Sequence, residues 1–160
     1  MSNSVVEVDV PPAKFFGRGD ALYVQAQQIW LILVGLIMAR RHVSFDRRLQ
    51  MRLPELIYYS ELCELMGKPG AQRTLDRQLG ITGRYCVLND LPPINAVVVN
   101  KTTEMPGHDV VVRPGRMVEE EMAAAGSYNW YSVRVPTIGA FRKVYDQREL
   151  IDQMNGLAQN

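Results

Sequence analysis

Residues 29–39 read IWLILVGLIMA, eleven positions without a charge or a strongly polar side chain. That run falls well short of the roughly 20 apolar residues that carry a helix across a bilayer. It also follows Gln25, Gln27 and Gln28, so it predicts a buried core helix. Asp20 is placed to cap a helix over Ala21–His42, with Arg40 and Arg41 at its electronegative end. A chain of 160 residues, 47% hydrophobic and 22% charged, has enough apolar content to build one core around such a helix and is not disordered. The start of the chain, MSNSVVEVDVPP, lacks a basic region leading into a hydrophobic one. The expectation is a cytoplasmic protein that does not engage a membrane.

Pro11, Pro12, Gly17 and Gly19 mark residues 1–19 as an N-terminal arm. Within it, VVEVDV at 5–10 alternates apolar and acidic side chains with the period of a half-buried edge strand. Residues 20–160 then read as a single domain, with a C-terminal extension from about residue 127. Residues 44–53 are ambiguous, and Pro54 breaks what precedes it. Ser60 is positioned to cap a short helix whose apolar face is Leu62, Leu65 and Met66. Gly67 ends it and Pro69 opens a second helix, with Ala71, Leu75 and Leu79 inward and Arg73 and Arg77 together on an exposed face. Gly80 reads as its stop. Residues 95–100, with Val97, Val98 and Val99 in a row, predict a strand buried on both sides. The MPGH turn at 105–108 and DVVVR after it complete a two-stranded antiparallel wing. A helix over 119–125, a strand over 128–135 and a terminal helix over 141–157 follow.

The order helix, YSEL turn, helix, glycine and proline turn, arginine-bearing helix and valine strand resembles the winged-helix domain of alkylguanine DNA alkyltransferases and alkyltransferase-like proteins. The residues that carry the resemblance are Tyr58-Tyr59-Ser60-Glu61-Leu62-Cys63, Gly67-Lys68-Pro69-Gly70-Ala71-Gln72-Arg73, and Leu91-Pro92-Pro93 with Val97-Val98-Val99. They span about half of the chain. The resemblance implies an α/β (α+β) winged-helix fold carrying the N-terminal arm and a C-terminal strand-helix extension. It implies that Arg73 enters the base stack of double-stranded DNA and that Tyr59 crowds the backbone beside it, lowering the cost of extruding a base. Helix amides near Ala71 would add phosphate contacts. The chain departs from the family at its chemistry. Where the alkyl-accepting enzymes carry Pro-Cys-His-Arg, this sequence has Pro92-Pro93-Ile94-Asn95. Without the acceptor thiol and its histidine there is no alkyl transfer, and Asp76 stands where the family has a small residue.

The charge pattern points the same way. Net charge is only +1, yet residues 40–84 hold nine Lys or Arg against five acids. A modest basic region of this kind predicts weak, salt-sensitive, sequence-independent attraction to phosphates. The nucleic-acid-binding set is therefore Tyr59, Lys68, Arg73, Arg77 and Lys101. For Tyr128 and Trp130, in YNWY, base stacking or a partner hot spot stands beside packing of a half-buried strand, the favoured reading. His42, Cys63, Cys86 and His108 lack metal-ligand spacing. Glu119, Glu120 and Glu121 read as a solvated first turn stabilised by the helix dipole. No phosphate loop, nucleophile elbow or HExxH site occurs. The expectation is a non-catalytic DNA-binding module without cofactor or metal. The alternative is a protein-interaction module or homodimer that uses the same scaffold.

Overall fold

A computed structural model describes residues 6–42, 56–107 and 110–159. The ambiguous segment 44–53, Arg47, Arg48, Arg52 and His108 lie outside the described residues. Among the described residues the fold is mostly helical, with six helices and one two-stranded parallel sheet, a coarse α/β arrangement.

Helix α1, Ala21–His42, is the expected central helix. It is long and apolar enough to cross a membrane by length and composition alone, but its stripe of Ala26, Ile29, Trp30, Leu33, Ile37 and Met38 is buried in the protein core. Its glutamines bond inside the protein: Gln27 Nε2 donates to the Pro136 carbonyl at 2.8 Å, and Gln25 Oε1 accepts from Gln78 at 2.6 Å. Trp30 stands edge-on to Trp130 and to Tyr85, with ring centroids 5.6 and 5.7 Å away, and tilted to Phe141. Such aromatic pairs contribute about 0.5–1.5 kcal/mol each beyond their burial.

Strand β1, Ile57–Tyr58, leads directly into α2, Tyr59–Leu65. Glu61 accepts from the Tyr58 N–H at 3.2 Å, so the helix starts before the expected Ser60 cap. A Gln72–Thr74 turn of 3₁₀ helix follows, and then α3, Asp76–Leu88. Gly80 does not stop α3. The helix continues through Gly80 and Gly83 because α1 and the C-terminal helices pack against it, and burial there outweighs the glycine penalty. After a 3₁₀ turn, Ile94–Val97, strand β2, Val98–Val99, pairs in parallel with β1 in the register Ile57 to Val98. The triple valine is buried, as its apolar run requires.

Helices α4, Val118–Ser127, α5, Ile138–Asp146, and α6, Arg148–Gln159, complete the chain. The expected single terminal helix is thus two, broken at Gln147. Three expected strands are absent among the described residues. Residues 6–10 are exposed and unpaired; 110–113 run without a ladder partner; and 128–135 hold a 3₁₀ turn, Trp130–Ser132. Among the described residues none of the three has a ladder partner to supply the backbone bonds that a strand needs.

Glu121 is wholly buried, not part of a solvated first turn. Its carboxylate accepts from the backbone N–H of Arg113 at 3.1 Å, from Nε at 3.2 Å and from Nη2 at 2.8 Å. This clasp ties segment 110–113, the expected second wing strand, down onto α4, and it holds the Arg113 guanidinium above its ordinary pKa. Removing one member of a buried pair strands the other charge. Glu121→Leu is therefore expected to destabilise by about 3–5 kcal/mol in urea unfolding, and Glu121→Leu with Arg113→Met by clearly less than the sum of the single changes.

Candidate nucleic-acid interface

Three segments meet at the start of α2. The Tyr59 hydroxyl accepts from the Gly107 N–H at 3.0 Å, which fixes the loop after β2 against the first turn of α2. Tyr59, Gly107, Asp76 from the start of α3 and Asn95 from the 3₁₀ turn then wall a cavity of about 20 Å³. A space of that size admits one water, whereas pockets for organic ligands run to hundreds of Å³. An extruded base does not fit there. The Asn95 Oδ1 is buried and accepts no hydrogen bond from the described protein atoms.

Several cations are held by acids within the fold, and others are not. Arg84, on α3, is consumed by a bidentate pair with Asp152 of α6, at 2.7 and 2.8 Å. Arg113 is held by Glu121, and Arg142 by Asp20. The Asp20 carboxyl accepts from the Gly17 N–H and, with Arg142 alongside, is held below the ordinary carboxylate pKa. Lys68, Arg77 and Lys101 are exposed and make no ion pair among the described residues. Lys68 sits in the turn after α2, Arg77 in the first turn of α3, and Lys101 in the tight turn after β2, where Glu104 takes a left-handed φ of 54°.

Arg73 and Arg77 do not share a helical face. Arg73 belongs to the 3₁₀ turn and Arg77 to α3. Nor does α3 stand proud of the fold: Gln78, Leu79, Ile81, Thr82 and Cys86 are buried, and α5 and α6 cover its body. Its exposed opening turn carries Asp76 beside Arg77, an acid next to the cation.

Tyr128 and Trp130 are not a stacking platform. Trp130 is 1% exposed and donates from Nε1 to the Ala125 carbonyl at 2.8 Å, while Tyr128 packs on its ring at 4.9 Å. The exposed aromatic of this stretch is Tyr131. Both thiols are buried and free, and burial pushes the Cys86 thiol up to about 12. Neither is a nucleophile at neutral pH.

Sequence reasoning missed Asn95, Asp152 and the Arg113–Glu121 pair, because their partners lie far apart in the chain or, for Glu121, because neighbouring glutamates masked it. No protein-family model, no curated protein and no solved structure matches this chain. The resemblance to alkyltransferase-like domains rests on the quoted residues alone.

Two outcomes check this geometry. A Cβ at Gly83 would stand 2.3 Å from Asn95 Oδ1, whereas one at Gly35, inside α1, meets nothing within 4 Å. Gly83→Ala should lower the unfolding free energy by about 1–3 kcal/mol, and Gly35→Ala should raise it by about 0.5–1 kcal/mol. A thiol reagent at neutral pH should label neither cysteine in the folded protein and both in denaturant. The raised Cys86 pKa favours the fold below the pKa of an unfolded thiol, and that contribution is lost as pH rises toward 12.

Proposed function

We propose that the protein is a non-catalytic module that binds double-stranded DNA with low sequence specificity, through the turns at the open end of a winged-helix-like unit. The observation that carries this reading is the division of charge. Arg84, Arg113 and Arg142 are neutralised within the fold, whereas Lys68, Arg77 and Lys101 remain exposed on turns around the Tyr59 junction. The succession α1, β1, α2, α3, β2 supports a winged-helix-like core. The wing is reduced to the Lys101 turn, because Arg113 is drawn away to Glu121.

Contact is made by the start of α3 and its preceding turn, with Arg77 and, as the resemblance implies, Arg73 supplying cations to phosphates. Side chains at a helix end reach the backbone more readily than they read base edges, so affinity is electrostatic and specificity low. Tyr59 acts as a positioning residue through Gly107, not as a wedge beside an extruded base.

Four phosphate contacts, by Lys68, Arg73, Arg77 and Lys101, give a slope of log affinity against log salt of about −3.6. Raising salt from about 50 to about 200 mM should weaken binding to a short mixed-sequence duplex about 150-fold. With Arg73→Ala and Arg77→Ala together the loss should fall to about 12-fold. Unchanged affinity and slope in that double variant would remove this face from the mechanism.

A second reading is favoured by the coverage of α3 and the exposure of Tyr131: a protein-interaction module on the same scaffold. A partner retained on the immobilised protein after nuclease treatment, and lost on Tyr131→Ala, selects it.

A further inference from the structure

The N-terminal arm and a groove at the opposite end of α1 have matching chemistry. Val6, Val8 and Val10 are 85%, 81% and 69% exposed, and Phe15 and Phe16 are 91% and 60% exposed. Glu7 and Asp9 alternate with the valines. Extended, this segment presents valines on one face and carboxylates on the other. So many large apolar side chains clear of the body mark a segment that docks onto another surface.

The groove lies between the C-terminal end of α1 and α4. It measures about 500 Å³ and is lined by Ile37, Leu56, Met122 and Ala123, with Arg40 and Arg41 at its edge. Arg41 is exposed, and its Nη2 donates to the Gly126 carbonyl at 2.9 Å. A neutral carbonyl orients the guanidinium and leaves its charge available to an acid.

We propose that residues 6–16 of one copy lie in this groove of a second copy, and reciprocally, so that two chains form a dimer with exchanged arms. The valines meet the apolar floor, and Glu7 and Asp9 meet the Arg41 edge. Docking into the chain's own groove is disfavoured by reach. From Phe16 to Ala21 the chain spans at most about 18 Å, short of the roughly 24 Å along α1 from Ala21 to Ile37, so residues 6–16 cannot all lie in it. The exposures above show an arm that does not lie on α1. A second copy supplies the complementary surface without that demand, and a closed two-fold exchange satisfies both arms at once.

The test uses charge reversal in the full chain. Light scattering and sedimentation of the unaltered protein, from micromolar to a few hundred micromolar, should show a monomer–dimer equilibrium. Glu7→Lys with Asp9→Lys places cations opposite Arg41, and Arg41→Glu places an acid opposite the arm's acids. Each variant alone should dimerise at least tenfold more weakly. Mixed, they should form a one-to-one heterodimer, since both arm–groove contacts are then opposite in sign. The arm variant alters residues that are fully exposed, so it keeps the fold and stands even if Arg41→Glu does not fold.

A monomer at every concentration, unaltered dimerisation in the arm variant, or failure of two folded variants to pair would overturn the proposal. A monomer whose arm resists protease until Glu7 and Asp9 are reversed would also overturn it, in favour of docking within one chain.

Discussion

Trp30 is the constraint on which the rest of this fold depends. Its ring is met edge-on by Trp130 and Tyr85 and obliquely by Phe141, so one side chain of α1 fixes α3, α5 and the turn after α4 relative to each other. The consequence for function is indirect but firm. Once α5 packs against α1 and α3, the long face of α3 is closed, and only its ends remain available. Trp130 is also spent there, its indole N–H satisfied by Ala125. A buried Trp with its donor paired is a structural element, and the aromatic that remains outside is Tyr131.

The same economy governs charge. The fold binds C-terminal and loop segments to its centre with ion pairs: Asp152 on Arg84, Glu121 on Arg113 and Asp20 on Arg142. The Arg113 pair is the costliest to assemble, since Glu121 gives up all its solvent, and the geometry answers that cost with bonds from the side chain and from the backbone N–H. Among the cations this leaves exposed are Lys68, Arg77 and Lys101, a small set. Its weakness is consistent with a protein of net charge +1, and it favours contacts that form and dissolve with salt.

Much of the helical frame was legible because helix signals are local. The run at 29–39 and the Asp20 start define α1, and Leu75 and Leu79 fall on the buried side of their segment as their spacing required. The sheet was less legible. VVEVDV at 5–10 has strand alternation and DVVVR at 109–113 a run of valines after a turn, yet a strand exists only where an edge receives it, and the order of residues does not show where edges lie. Gly80 was misread for a related reason: a glycine stops a helix unless packing holds the next turn, and the packing comes from α5 and α6, some sixty residues onward. In the candidate site, Lys68, Arg77 and Lys101 could be named from the sequence, but their freedom could not. Arg84 belongs to the same basic stretch as Arg77, but Asp152 occupies it.

That difference between Arg77 and Arg84 also bears on how a module of this kind could acquire specificity. Base readout needs several side chains from one element aligned in a groove, and α3 has committed its successive turns to the core. Its exposed charged positions, Asp76 and Arg77, sit at one end, one of them with the wrong sign for a phosphate. A surface with so few contacts gains affinity more readily from multiplicity than from refinement of any single contact. Two linked copies present the cationic turns twice, and the second engagement becomes an intramolecular event at high effective concentration. Under the proposed function, the exposed arm and the covered α3 face are complementary: a second copy would supply the avidity that α3 alone does not.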